Sequence, residues 1–234
     1  MPLQTVDPKR LYRQIADQLR ALITNGEYAP GTRLPAERDL AKQLRVSRPS
    51  VREALIALEV EGRVEVRTGS GVYVLDRSRR TGTTIALTDW GPLELIRARR
   101  AIEGETAALA ARMAKRADRE AIRRSIDEMR AQCEQGLAPL QADRDFHAAI
   151  AQASGNAVLA ETVHGLIEAG LGPMFKRLGG YFETSKSWRN AIGEHEAVLL
   201  AIETRDPDAA RAAMHAHMDR AHQRYSASWR RAHA

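Results

Sequence analysis

Four valines, Val64, Val66, Val72 and Val74, alternate with other residues on either side of Thr68, Gly69, Ser70 and Gly71. A period of two around a glycine-rich tip is the pattern of a β-hairpin. Beyond Pro92 no strand pattern is found, and the apolar residues repeat at helical spacing. The expected fold is therefore mainly α with one hairpin. Ahead of the hairpin, Asp7 and Pro8 read as an N-cap followed by a proline at the first helical position. Leu11, Ile15, Leu19 and Leu22 then recur at helical spacing, and Asn25-Gly26 ends the run. YAPGTRLP reads as loop. Pro35 opens a second helix to about Leu44, and Ser47 caps a third that tolerates Pro49 in its first turn and stops at Gly62. Three helices followed by a hairpin make a winged helix-turn-helix, assigned here to residues 1–76.

Residues 77–91 are polar and unpatterned and read as a linker. From residue 92 to 234 the text is helical throughout. Helices are expected at Leu93 to Lys115, Arg119 to Glu134, Pro139 to Ala153, Val158 to about Leu178, Ser187 to Thr204 and Pro207 to Trp229. No apolar run approaches the ~20 residues that span a bilayer. The N-terminus MPLQTVDPKRLYRQ lacks the apolar core of a signal peptide, so a cytoplasmic protein is expected. A single cysteine, Cys133, excludes an intrachain disulfide and reads as a packing or surface residue.

Charge separates the two parts. Through residue 80 there are 15 Lys and Arg against 10 Asp and Glu, leaving 21 against 20 of the totals 36 and 30 for the rest. A basic head on a nearly neutral body suits a polyanion. Within the head, PAERDLAKQLRVSRPSVREAL spans residues 35–55 and places Arg38, Arg45, Arg48 and Arg52 beside an apolar spacing of Leu40, Leu44, Val51 and Leu55. One such arginine commonly does no more than solvate a helix. Cap, turn, basic third helix and glycine wing in that order point to double-stranded DNA. In such a module the third helix enters the major groove with its first turns against base edges. Ser47, Arg48, Ser50 and Arg52 occupy those turns. The guanidinium fork can bind guanine O6 and N7 together, worth ~1–3 kcal/mol of discrimination.

All seven histidines lie in the body. Asp143 and His147 stand four apart and so share a helix face. His195 follows Glu194 on a helix whose apolar side carries Val198, Leu199 and Ile202, and His217 lies between Met214 and Met218. Three buried histidines that converge with a carboxylate would make a nitrogen and oxygen metal site. Spacing alone leaves two readings open, a metal centre or separate core histidines with hydrogen-bond partners. His164, His215, His222 and His233 read as surface or packing residues.

The run from LYRQIADQLRALITNGEY to VEVRTGSGVYV closely resembles the N-terminal domain of GntR-family transcription regulators. That resemblance implies that Arg38, Arg48 and Arg52 are the main DNA-contacting arginines, with Ser47, Ser50, Thr68 and Gly69 in support. Pro49 stands where some relatives have a hydroxyl, so any contact from that position is lost. ARRAIEGETAALAA, DRDFHAAIAQASGN and GEHEAVLLAIETRDPDAARAAMHAHM resemble successive segments of the all-helical FadR-type C-terminal (FCD) domain. The likeness implies a divalent ion held by Asp143, His147, His195 and His217 in an effector cavity. It also implies that Arg99 faces the effector's carboxylate and that Asn156 lies near. WGPLELIRARRAIE, PMFKRL and IGEHEAVL add a likeness to hexuronate-utilisation repressors.

Together the basic head and these likenesses imply a metabolite-responsive regulator: a homodimeric repressor on a short pseudo-palindromic operator, released by a small carboxylate or sugar acid. The affinity order for a mixed nitrogen and oxygen set favours zinc or nickel, ahead of iron(II) or manganese. The alternative is a metal-dependent hydrolase or lyase fused to a DNA-binding head, since such a site can activate water. No further acid or base is evident beside the four ligands, so no enzymatic activity is expected.

Overall fold

The computed structural model describes residues 11–67, 70–75, 90–172, 175, 177, 179 and 184–231. The chain divides into two compact units, one built on the first 92 residues and the other on Leu93–Leu171 and Gly179–Ala227. The expected linker lies outside the described residues but for its last two, as do the Asp7-Pro8 cap, Thr68, Gly69 and His233.

In the first unit, α1 spans Leu11–Thr24 and buries Tyr12, Ile15, Ala16 and Leu19. Leu11, expected in that stripe, is 47% exposed, and the ring of Tyr12 fills the first core position instead. Gly26, at φ 82°, takes the left-handed conformation that ends the helix. Helix α2 covers Glu37–Leu44 and ends on Arg45, itself left-handed at φ 54°. Helix α3 covers Arg48–Val60 and buries Val51, Ala54, Leu55 and Leu58. Ser47 caps it as the sequence requires: its Oγ accepts from the Ser50 backbone N–H at 3.3 Å, with Pro49 in the first turn.

The wing pairs β1, Val64–Arg67, with β2, Gly71–Val74, in antiparallel register from Val64 opposite Val74 to Arg67 opposite Gly71. All four valines face inward. The segment read as loop before α2 does more than connect, since it adds itself to the wing's outer edge. Leu34 donates to Val72 O at 2.8 Å, Gly31 donates to Val74 O at 2.8 Å, and Arg33 bridges Tyr73.

The second unit contains α4 (Pro92–Met113), α5 (Arg116–Glu134), α6 (Leu140–Ala153), α7 (Ala157–Ala169), α8 (Ser185–Glu203) and α9 (Pro207–Arg231). Its core joins Ala107, Ala110 and Ala111 of α4 to larger side chains, among them Ile122 and Met129 of α5, Phe146 of α6, Ile202 of α8 and Met214 of α9. Small residues on α4 let bulky neighbours approach its backbone, and Phe146 is wholly buried. Truncating such a phenylalanine to alanine costs about 3–5 kcal/mol. Helix α7 stops at Ala169, short of the expected Leu178, because Gly170 takes the C-cap and ends the intrahelical ladder.

Candidate functional site

The head presents an arginine array organised by one carboxylate. Glu37, at the start of α2, is 7% exposed. It accepts from Arg52 Nε at 3.1 Å and from Arg52 Nη2 at 3.0 Å on each oxygen. It also accepts from Arg48 Nε at 3.0 Å. The two arginines differ in exposure: the Arg48 side chain is 48% exposed and that of Arg52 only 3%. Arg38 is more open still, at 70%, with a 3.3 Å contact to Asp39. Arg38, Ser47 and Arg48 thus lie on accessible surface, with Ser50 half-buried and hydrogen-bonded to Ser47 Oγ at 2.8 Å. Arg52, expected among the main DNA contacts, is instead sunk in the head as one half of a buried ion pair. It would reach DNA only by leaving Glu37.

In the body, four helices converge. Helix α6 brings Asp143 and His147, α8 brings His195, α9 brings His217, and α4 adds Glu103. The three histidines are 2%, 0% and 4% exposed, and one nitrogen from each falls within 4.8 Å of the others. Nε2 of His195 lies 3.3 Å from Nε2 of His217 and 3.5 Å from Asp143 Oδ1. The sequence expectation of convergence is met for the histidines, with Asp143 at their edge, 24% exposed.

Two carboxylates missing from the expected ligand set lie against the rings. Glu194 Oε2 accepts from His217 Nδ1 at 2.9 Å, which leaves the His217 Nε2 lone pair directed at His195. Glu103 Oε2 lies 2.6 Å from His147 Nδ1, although that contact is poorly aligned for a hydrogen bond. Each carboxylate is in turn gripped by an arginine. Arg99 Nε donates to Glu103 at 2.5 Å, and Arg224 holds Glu194 through Nη1 at 2.8 Å and Nη2 at 3.2 Å.

The electrostatics agree with neutral His195 and His217 rings and ionised Glu103 and Glu194 carboxylates. Burial pushes His195 well below the ordinary histidine range, and the neighbouring rings of His217 and His147 add to the effect. His217 is lowered too, burial outweighing the support from Glu194. Burial would raise Glu103 and Glu194, yet both are held below the usual carboxylate range. Arg99 and His147 do this for Glu103, and His217 and Arg224 for Glu194. Burial likewise works against the Arg99 charge, but Glu103 holds it above its ordinary value.

Donor atoms around one ion at about 2.1 Å and at right or tetrahedral angles sit about 3.0–3.4 Å apart. The 3.3 Å and 3.5 Å separations match such edges closely. With one imidazole proton held on Nδ1 of His217, its Nε2 is free to ligate. The residues present therefore fit a divalent cation.

Arg99, expected to face the effector, is joined to this cluster through Glu103. Asn156, the other expected effector contact, is exposed, and its Oδ1 caps α7 by accepting from Val158 N at 3.1 Å and Leu159 N at 3.2 Å. His215 packs over Gly104, where a Cβ would come within 2.2 Å of its Nε2.

Residues 11–74 match the family model described as bacterial regulatory proteins, gntR family, and residues 94–220 match the FCD domain. The Exu regulon transcriptional regulator of Escherichia coli (strain K12) is 35% identical over 222 residues, 93% of this chain and 85% of that protein. The Uxu operon transcriptional regulator of the same strain is 36% identical over 223 residues, 92% of this chain and 87% of that protein. Among solved structures, E. coli McbR/YncC is similar in fold, with a TM-score of 0.50 at 23% identity over 91% of this chain and 95% of that one.

Proposed function

The chain belongs to the gntR family of bacterial regulatory proteins and is a DNA-binding transcription regulator with an FCD domain, and from that premise we propose that it is a metabolite-responsive homodimeric repressor. Its operator is a short pseudo-palindrome, because a two-fold dimer offers two recognition helices. Arg38 and Arg48 meet DNA from accessible positions, Ser47 and Ser50 support them at the N-terminus of α3, and the wing tip with Thr68 and Gly69 approaches the backbone.

The effector is a small carboxylate or sugar acid, the class suggested by relatives named for exu and uxu regulation. Asp143, His147, His195 and His217 would hold a divalent ion, zinc or nickel ahead of iron(II) or manganese. Bound there, the ion would supply a Lewis-acidic anchor for effector oxygens. Arg99 commits Nε and Nη2 to Glu103 and makes no hydrogen bond through Nη1 among the described residues, which suits it to the effector's carboxylate. Asn156 would be a further effector contact. Release of DNA requires the effector to bind the DNA-free form more tightly, and the coupling is reciprocal.

One observation carries this reading: three buried histidines bring one nitrogen each within 4.8 Å of the others, with Asp143 Oδ1 3.5 Å from His195 Nε2. A thermal-shift screen of sugar acids and organic acids, with elemental analysis of the purified protein, tests it. Metal at about one ion per chain and a shift abolished by chelation are expected. A metal-free protein whose effector shift survives a strong chelator would refute the site. No turnover of the acids that bind is expected.

A further inference from the structure

The wing carries a cation that the recognition-helix argument does not use. Arg33 lies in the segment that pairs with the outer edge of β2, where it bridges Tyr73. Its side chain rests directly on Gly71. A Cβ added to that glycine would come within 2.5 Å of Arg33 Nε and 3.1 Å of its Cζ, so the guanidinium would have to shift to make room. Gly71 also has a φ of +117°, a conformation that other residues rarely adopt. The φ suits the position to glycine, and the missing side chain seats the guanidinium there as it stands.

Three features mark Arg33 as a ligand contact rather than a structural one. It is exposed, and it makes no ion pair among the described residues, while Arg20, Arg38, Arg48, Arg52 and Arg67 of the same unit each have a carboxylate. Lys42 and Arg45 also lack one, but neither rests on a glycine at the wing. Second, its neighbours are the DNA elements: Arg33, Glu37, Leu55 and Gly71 line one small pocket, and Glu37 is the carboxylate that grips Arg48. Third, Gly71 and Tyr73 share the face of β2 opposite the buried Val72 and Val74. Tyr73 there carries the Arg67 guanidinium 4.6 Å from its ring centre. Two cations therefore flank the outer face of one strand.

We propose that Arg33 is a DNA-backbone contact, gripping a phosphate between those met by the start of α3 and those met by the wing tip. The inference rests on the DNA-binding role of the head. A preformed guanidinium without an internal partner has no carboxylate to release before it meets a phosphate. Held against a glycine, it has also lost part of the rotamer freedom that binding would otherwise take away. Phosphate contacts fix register and carry no sequence information, so its loss should fall on all DNA alike.

The test uses the full chain and two labelled duplexes, one of random sequence and one recovered by selection, titrated across a salt series. Wild-type binding to both tests the DNA-binding role itself, separately from the assignment of Arg33. Arg33→Ala is expected to weaken both complexes by about threefold to tenfold per head and to reduce the log–log salt slope by about 0.9 per head. Arg33→Lys keeps the charge and should retain the slope. Melting temperatures should not change, since Arg33 has no ion pair to lose among the described residues. An Arg33→Ala protein with wild-type slope overturns the proposal. So does a loss confined to the selected duplex, which would make Arg33 a base reader, or an Arg33→Lys slope as low as that of Arg33→Ala.

Discussion

Replacing Glu37 by alanine isolates the head's buried ion pair. The change removes the acceptor of three Arg52 contacts at 3.0–3.1 Å from a guanidinium that is 3% exposed. Breaking one side of a buried pair costs about 3–5 kcal/mol. Arg48 is half exposed, so its lost contact adds no more than about 1 kcal/mol. The head has a small core, and a cost of that size takes most of its stability. Hydrogen exchange in α3 of the full chain should accelerate by about two to three and a half decades, at ~1.4 kcal/mol per decade. The double variant Glu37→Leu with Arg52→Met replaces the pair by apolar groups and should return exchange to within about one decade of wild type. DNA binding by that double variant then decides the role of Arg52. If it is folded and binds the selected duplex as wild type does, Arg52 is structural; if binding falls, Arg52 leaves Glu37 to reach DNA. An acceleration below tenfold in Glu37→Ala would refute the reasoning, because it would mean that solvent compensates Arg52.

Arg48→Ala should cost ~1–3 kcal/mol of discrimination between selected and random duplexes, and an equal loss on both would reduce Arg48 to a phosphate contact. His195→Ala should remove the metal by elemental analysis and lower the melting temperature, while DNA binding at low salt persists because the head is a separate compact unit. Glu194→Gln keeps the shape but weakens the hold on the His217 tautomer, so metal affinity measured by competition with a chromogenic chelator should fall about 10–100-fold. Unchanged affinity would mean that packing alone orients the ring. A chain truncated to residues 92–234 should sediment as a dimer at micromolar concentration, and a monomer would place the dimer interface elsewhere.

How far the sequence could be read depended on whether the deciding contacts were local. Ser47 capping α3, Gly26 and Gly62 ending helices, and four valines alternating through the wing are matters of one to four residues, and all appear where the pattern places them. The edge pairing of residues 31–34 was hidden for the opposite reason. Its partners are Val72 and Val74, some forty residues away, and a proline and glycine beside it mimic an ordinary turn. The burial of Arg52 was equally hidden. On sequence it is one more arginine on a polar helix face, and only the packing of α2 against α3 shows that this face is covered and that Glu37 is its counter-charge.

The body repeats this contrast within a single site. Asp143 and His147 could be paired because a spacing of four puts both on one face of α6. Glu194 could not be assigned by such a rule. It adjoins His195, and consecutive helical residues point about 100° apart, so helix geometry turns its side chain away from the histidine beside it. The structure supplies its real partner, His217 on α9, together with Arg224 seven residues further along the same helix. Glu103 carries no local signal of its role, yet it touches both Arg99 and His147 of another helix. Two arginine-to-carboxylate-to-histidine chains thus enter the cluster from different sides. In each, burial weakens the case for charge, and the paired arginine restores it by holding the carboxylate ionised. The positions proposed to ligate can be inferred from residue type, whereas those that aim the rings require the packing of four helices.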